Sequence, residues 1–385
     1  MTPAIPQQAK TVFARPDSEA DLSIPVLTGD LHIYVAFDWG EEIDLQRAGT
    51  LVPAELRDLP RRRRTPTSIG YRPQPFRFQL APVALALPEL GLVQSAAEAT
   101  VFDFAAVSLA LRVPFCLPAA NLSRLAGWLA EPTTVVQAAR AALEPLHRKL
   151  LSAIQDPLWQ DDLSEEYFVF HLPPGEPLPA VPELVNTQAG WLAGLVRLET
   201  GPLSPEEITE ALRLSLRYSP EDLFVADWAA AVLVDRNCEE TLQTIEFANL
   251  QLLEFRHIDN RLDNDLNTAY GVIHRLVQAR LPFWRSHGRA LRAVGELKVE
   301  ANGLFERTEN VFKLVGDQYL ARVYRLVGTR FHLEAWAQSI RRKLEVAEGV
   351  YQVVSDQTDT YRTAFLEVMV VLLILIEILL ALYRH

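Results

Sequence analysis

Residues 365–382 read FLEVMVVLLILIEILLAL, and this apolar stretch decides the interpretation of the whole chain. Its length is close to the ~20 residues that cross the hydrocarbon core of a bilayer. Its Val, Leu and Ile residues favour insertion by about 5 kcal/mol in total, whereas an acid at mid-helix costs about 3 kcal/mol. Glu377 falls near mid-span and Glu367 at the headgroups. The balance predicts one C-terminal transmembrane helix at residues 364–383; the alternative is an apolar helix buried in a soluble oligomer.

Upstream of this stretch, apolar residues recur with a period of seven, which indicates coiled-coil helices. Three such seams run through residues 237–363, and the third continues into the apolar stretch. The third seam comprises Ile340, Ala347, Val354, Tyr361 and Val368 together with Leu344, Tyr351, Thr358, Phe365 and Leu372. Asp259 and Lys298 occupy seam positions in the first two helices. A polar residue at such a position can fix register or oligomeric state, and these two could be partners.

The part of the chain before the seams alternates between strand-like and helix-like segments, which predicts an α+β domain. Strands are predicted at 31–37, 99–115, 191–198 and 223–235, and helices at 119–130 and 133–155. Ser204 and Glu207 form a capping box that opens a further helix. The predicted division is a mobile N-terminal arm at 1–28, the α+β domain at 29–172, a Pro-rich linker at 173–187, further α+β elements joining the same sheet at 188–236, the coiled-coil region at 237–363 and the transmembrane helix at 364–383.

Composition limits the classes of partner. The 385 residues carry a net charge of −12, so bulk electrostatics do not favour nucleic-acid binding. Two cysteines, Cys116 and Cys238, indicate a reducing compartment. The dense basic patch formed by Arg61, Arg62, Arg63 and Arg64 stands against this acidic background. It could contact ribosomal RNA or anionic lipid, or be an ordinary solvated loop.

Catalytic signatures are absent from the sequence. It has no phosphate loop, dinucleotide fingerprint, zinc-protease helix or nucleophile elbow, so we predict no catalytic, cofactor-binding or metal-binding residues and no cofactor. The best metal candidate is Glu254-x-x-His257 with Asp259 and Asp263 nearby, because Glu-x-x-His on bundle helices is a di-iron pattern. Glu144-Pro-Leu-His147 repeats the spacing, but two further helical contributions are missing. We interpret these residues as exposed positions of a charged coiled coil.

Two short segments resemble the required-for-meiotic-nuclear-division family, whose members carry a domain of unknown function. Phe102-Asp103-Phe104-Ala105, within the strand at 101–109, stands where that family has an aromatic-rich strand, with Ala105 in place of its usual glycine. Arg362, Leu366-Glu367 and Ile376-Glu377-Ile378 resemble the acid-bearing pairs around its terminal span. Eukaryotic members are similar to inner-mitochondrial-membrane proteins that support translation, and the resemblance implies a tether for a large assembly at a membrane.

The sequence therefore predicts a membrane-anchored scaffold, and not an enzyme, with its bulk facing the cytoplasm. Its expected partners are the bilayer through residues 364–383, further copies of the chain through the coiled coil, and ribosome or anionic lipid through Arg61–Arg64. The alternative is an enzyme or small-molecule sensor with a pocket in the α+β domain.

Overall fold

Apolar and β-branched residues alternate along residues 26–38, which form the central strand of a large sheet. The computed structural model describes residues 26–52, 75–159, 163–278 and 318–383. The strands are β1 (Val26–Asp38), β2 (Glu42–Ile43), β3 (Phe76–Gln79), β4 (Val83–Leu87), β5 (Gly91–Val101), β6 (Ala106–Pro118), β7 (Ile154–Gln155), β8 (Ser164–Leu172), β9 (Ser215–Leu216), β10 (Leu223–Ala226) and β11 (Ala230–Val234). The helices are α1 (Leu45–Leu51), α2 (Ala119–Leu129), α3 (Thr133–Leu150), α4 (Val181–Thr187), α5 (Ala189–Arg197), α6 (Pro205–Arg213), α7 (Glu239–Gln278), α8 (Gln318–Arg330) and α9 (Leu333–Tyr383).

Within the described ranges, nine strands form one sheet in the order β3-β5-β6-β1-β8-β11-β10-β9, with β4 paired to β5. Strand β1 pairs antiparallel with both β6 and β8, and β11 pairs parallel with β8. Strands β2 and β7 form a separate short ladder. The strands and the helices on both faces make the domain α+β with a large sheet.

The period of two along β1 sends its side chains to opposite faces. Leu31, Ile33 and Val35 point to the face covered by α2, α3 and α5, where the larger apolar core lies. Tyr34 and Ala36 point to the face covered by α7, α8 and α9. The sheet is thus the middle layer between two helical layers.

Three strand predictions need correction. Residues 99–115, predicted as one strand, contain the hairpin of β5 and β6, and Ala105 in its turn has a positive φ of 63°. Residues 223–235 likewise form the β10–β11 hairpin. Residues 191–198 are largely helix α5, because their apolar side chains cover one side of a helix that packs on the sheet. The start of α6 was predicted correctly. Ser204 Oγ accepts a hydrogen bond from Glu207 N at 3.3 Å and caps this helix.

Helices α7 and α9 are long and run side by side in the same direction. Asp259 of α7 lies beside Ser339 and Lys343 of α9, whereas Asp263, one turn later, lies beside Lys343. The seam residues Leu262, Ile340 and Ala347 are buried. The first part of the predicted third seam is therefore a packed contact.

The prediction of a transmembrane helix at residues 364–383 is wrong. No helix in the described part of the chain combines the length and the apolar character that crossing a membrane requires. Glu367 and Glu377 interrupt the apolar sequence in this part of α9, and an acid is costly inside a bilayer. The predicted single-pass membrane anchor and the membrane localisation that depends on it are therefore also wrong.

Candidate functional site

A cluster of polar side chains lies on the face of the sheet that α7, α8 and α9 cover, at the end nearest the start of α7. Asp30 and His32 belong to β1, where their spacing of two puts them on one face. The strand register places His171 of β8 opposite Asp30 and Arg112 of β6 opposite His32. Cys238, just before α7, approaches the same point.

The distances within this cluster are short. His171 Nδ1 lies 3.9 Å from Asp30 Oδ2 and 3.8 Å from Cys238 Sγ. His171 Nε2 lies 2.8 Å from the carbonyl oxygen of Asp235. A carbonyl can only accept, so Nε2 carries a proton, and in the neutral form of the ring it is Nδ1 that has the free lone pair. Arg112 Nη2 donates to Asp30 Oδ2 at 2.8 Å.

Burial controls the protonation of these groups. It lowers the pKa of His32 to about 4, with the charges of His171 and Arg112 acting in the same direction, so this ring is neutral at pH 7. Burial also raises the pKa of the Cys238 thiol to about 11. For Asp30 burial opposes ionisation, but the hydrogen bond and charge of Arg112 lower its pKa on balance. At neutral pH the cluster offers the carboxylate of Asp30 and the neutral imidazole of His32, beside the ring of His171.

Asp30, His32 and His171 are all residues that bind metal ions, and one ligand atom from each lies within 4.8 Å of the others. The buried Nε2 of His32 has no hydrogen-bond partner among the described residues. Two imidazoles and a carboxylate suit a divalent transition metal more than magnesium or calcium, which prefer oxygen ligands. The chemistry of the cluster is that of a small cation site.

The sequence did not predict this cluster. Its members are separated by up to 208 positions in the chain, from Asp30 to Cys238, and the sheet brings them together. Asp30-x-His32 in an otherwise apolar strand is the one local signal, because polar residues that alternate with buried Leu31 and Ile33 must share the opposite face.

The predicted Glu254-x-x-His257 motif lies further along the same face, and its residues do not gather into a metal site. His257 Nδ1 lies 2.6 Å from Asp38 Oδ2, and both side chains are buried. Asp259 pairs instead with Lys343, at 2.8 Å. These residues fasten α7 to the sheet and to α9, and are not the exposed coiled-coil positions that we expected.

The repeated spacing at Glu144 and His147 likewise brings no ligands together. Glu144 forms an ion pair with Arg148 one turn later on α3. The His147 ring lies 4.9 Å from that of Trp39 and 4.8 Å from that of Trp159. This histidine belongs to an aromatic cluster.

With this geometry in hand, comparison with known proteins is informative. Residues 28–240 match the family described as the N-terminal domain of uncharacterized protein MJ0711. The chain belongs to this family. Uncharacterized protein MJ0711 of Methanocaldococcus jannaschii is 28% identical over 195 residues, which are 50% of this chain and 59% of that relative. The chain thus spans about three fifths of the length of this relative. No solved structure matches.

The MJ0711 N-terminal domain contains the complete cluster, from Asp30 to Cys238, and ends at the beginning of α7. The rest of α7, with α8 and α9, follows the matched range. The resemblance to the required-for-meiotic-nuclear-division family stays a prediction.

The remaining predicted site residues are not part of the cluster. Arg61, Arg62, Arg63 and Arg64 and also Lys298 lie outside the described residues, as does the side chain of Glu367. Glu377 is exposed near the end of α9.

A groove of about 840 Å³ lies between the β3–β4 region and α3. It is lined largely by apolar residues such as Phe78, Leu80 and Leu146, and Lys149 is the charged residue in its lining. A catalytic pocket brings several titratable groups together, which this lining does not do.

Proposed function

We propose that the protein is a self-associating interaction protein whose α9 helices join copies of the chain. The MJ0711 N-terminal domain is its folded body, and the α7–α9 pair is the arm that carries the association surface. The observation that carries the proposal is the run Met369–Ile376, whose eight apolar side chains are between 43% and 64% exposed. A helix that is apolar on all sides is normally buried.

Within the described residues α7 does not cover this run, and we propose another partner for it. Asp259 and Asp263 of α7 lie level with residues 339–343 of α9. At equal rise per residue, the described end of α7 at Gln278 reaches about residue 360 of α9. Residues 369–376 lie beyond that point.

The heptad pattern favours a second copy of the chain as that partner. Ile340 and Ala347 are seam positions that are already buried, and seven-residue steps lead from them to Leu375. The same steps lead from Leu344, in the second row of the seam, to Leu372. A parallel pair of α9 helices would bring each of these residues against its own symmetry mate, as in an isologous interface. Because such an interface uses the same apolar residues on both chains, it requires no second complementary surface on the protein.

The test is the mass of the full chain in solution, measured by light scattering over a range of concentrations. Leu372→Lys with Leu375→Lys should convert the oligomer to a monomer, because two charges per chain would enter the seam. The matched control is Val370→Lys with Ile374→Lys, which adds equal charge to residues of similar exposure off the seam and should leave the oligomer intact.

Two results would contradict the proposal. A wild-type chain that stays monomeric at high concentration would remove the self-association. Equal loss of the oligomer with both pairs of substitutions would show that the run associates through non-specific apolar contacts and not through a seam. The same non-specific behaviour would be seen in micelles or lipid.

A further inference from the structure

We propose that Asp30, His32 and His171 bind one zinc-type divalent ion, with the thiolate of Cys238 as the fourth ligand. This site goes beyond the proposed association and does not depend on it. It lies within the MJ0711 N-terminal domain, at the point where the sheet meets the start of α7.

The spacing of the donor atoms fits a tetrahedral site. Bonds of 2.0–2.3 Å to a central zinc ion place its ligand atoms about 3.3–3.6 Å apart. The observed separations from His171 Nδ1 are 3.9 Å to Asp30 Oδ2 and 3.8 Å to Cys238 Sγ. The carboxylate and one nitrogen of each ring already lie within 4.8 Å of one another. Cys238 Sγ lies outside this group of three and would have to move towards Asp30 and His32 to become the fourth ligand.

The ring of His171 is oriented by a hydrogen bond of the kind that orients metal-binding histidines. Its Nε2–H donates to the carbonyl oxygen of Asp235, which fixes the ring and directs the Nδ1 lone pair at Asp30 and Cys238. Metal-bound histidines characteristically donate their second N–H to a carbonyl or carboxylate in this way. The ring has this orientation without a bound ion, so ion binding requires no change in the backbone at His171.

Charge balance also fits. The Asp30 carboxylate and a Cys238 thiolate would supply two negative charges to a doubly charged ion, and histidine binds a metal as the neutral imidazole. Binding replaces the thiol proton of Cys238, so one proton is released to solvent for each ion bound. The thiolate then forms its bond to the metal with no change of oxidation state.

Arg112 is the competitor for this site. Its guanidinium donates to the same Asp30 oxygen that would face the metal, and its side chain is 62% exposed. An exposed arginine can rotate into solvent when an ion arrives. Removing the charge of Arg112 should therefore make metal binding tighter. Removing the charge of an arginine in a purely structural ion pair would leave metal binding unchanged.

The experiment titrates Zn²⁺ into the full chain in competition with a chelator, and Co²⁺ into a parallel sample for its absorption spectrum. We expect one ion per chain and the intense visible bands of tetrahedral Co²⁺ with a thiolate-to-cobalt band. His171→Ala should weaken Zn²⁺ binding by at least about 100-fold. Cys238→Ser should weaken it by about tenfold or more and remove the thiolate band, whereas Cys116→Ser, at the other cysteine, should change neither.

Arg112→Gln provides a second variant that should fold normally because the side chain is exposed. We expect it to tighten Zn²⁺ binding several-fold, whereas Arg148→Gln, at an exposed ion pair elsewhere, should have no effect. The proposal is overturned if wild-type protein binds no stoichiometric ion, if folded His171→Ala binds Zn²⁺ as tightly as wild type, or if Cys238→Ser and Cys116→Ser behave alike.

Discussion

The two faces of the sheet are covered by helices in different ways. On the first face, β1 side chains such as Ile33 and Phe37 join a continuous apolar core with α2, α3 and α5. On the second face, apolar contacts are interleaved with buried Asp38, Glu246 and His257. Apolar contacts are non-directional, whereas buried polar groups must find particular partners. We infer that the first face supplies stability and the second fixes how the long helices dock.

Both features on which we base proposals lie on or beyond the second face. The Asp30–His32–His171 cluster lies at one end of α7, and the exposed apolar run of α9 lies past its other end. Arg330 of α8 shows how specific this docking is, because its guanidinium donates to the carbonyl oxygens of Ala226, Glu210 and Ala211. The predictions below use this contrast.

The largest effect should come from the apolar face. Phe170 of β8 is fully buried there, so Phe170→Ala should lower the free energy of unfolding by about 3–5 kcal/mol through lost burial and the cavity left behind. Urea unfolding followed by circular dichroism measures the change. Phe170→Leu is the control and should cost less than half as much. A cost under about 1 kcal/mol for the Ala variant would contradict the assignment of this face as the main core.

On the polar face, His257→Leu should lower stability by about 2–4 kcal/mol. The substitution leaves the carboxylate of Asp38 buried without the imidazole that lies 2.6 Å away. Adding Asp38→Asn to the same chain should restore part of the loss, because the amide carries no charge and can still accept from Gly40 N. Additive costs in this double-mutant cycle would mean that the two side chains do not interact.

The contact between the long helices should be weaker still. Lys343→Met keeps the aliphatic stem but leaves Asp259 and Asp263 without their shared cation, so we expect a loss of about 1–2 kcal/mol. Arg342→Met on the same helix is the matched control, because Arg342 is exposed and only a long hydrogen bond of 3.4 Å to the carbonyl oxygen of Gln338 is described for it, and it should cost less than about 0.5 kcal/mol. Equal effects of the two substitutions would refute the role of Lys343 in docking α9.

The sequence predicted the apolar side of this contrast well. The alternation at residues 31–37 and the capping box at Ser204 each specify their element locally, and the structure has both. The β5–β6 hairpin was missed because Phe102-Asp103-Phe104-Ala105 contains no glycine or proline turn signal. Its positive φ at Ala105 is imposed by the strands on either side.

The polar side could not be predicted because its pairs are long-range. Asp259 was identified as a polar seam residue, but its partner Lys343 is a non-seam residue 84 positions away. The Asp30–His32–His171 cluster depends on the register of β1 against β8, which no local pattern specifies. The transmembrane prediction was wrong because the apolar residues were given more weight than Glu367 and Glu377, whereas no helix in the described part of the chain is long and apolar enough to cross a membrane.

The smallest expected effect is a gain in stability. Glu246 of α7 is buried, and burial raises its pKa although Arg77 acts against the rise. Arg77 lies 3.8 Å from Glu246 but 3.0 Å from Glu98, so Glu98 is its closer partner. Glu246→Gln has nearly the same shape and no charge, and it should stabilise the protein at pH 8 by about 1 kcal/mol.

The raised pKa of Glu246 determines how its contribution to stability changes with pH. Above the unfolded-state value near 4.5, the unfolded chain releases the Glu246 proton before the folded chain does, so this residue makes stability fall as pH rises through that window. Urea unfolding at pH 5 and pH 8 should therefore show a larger gain for Glu246→Gln at pH 8. Glu98→Gln is the control and should destabilise, because Arg77 then donates to a neutral amide oxygen and loses the negative charge of its closer partner. A loss of stability for Glu246→Gln at both pH values would mean that the ionised carboxylate is needed on this face, and that its ion pair with Arg77 outweighs the cost of burial.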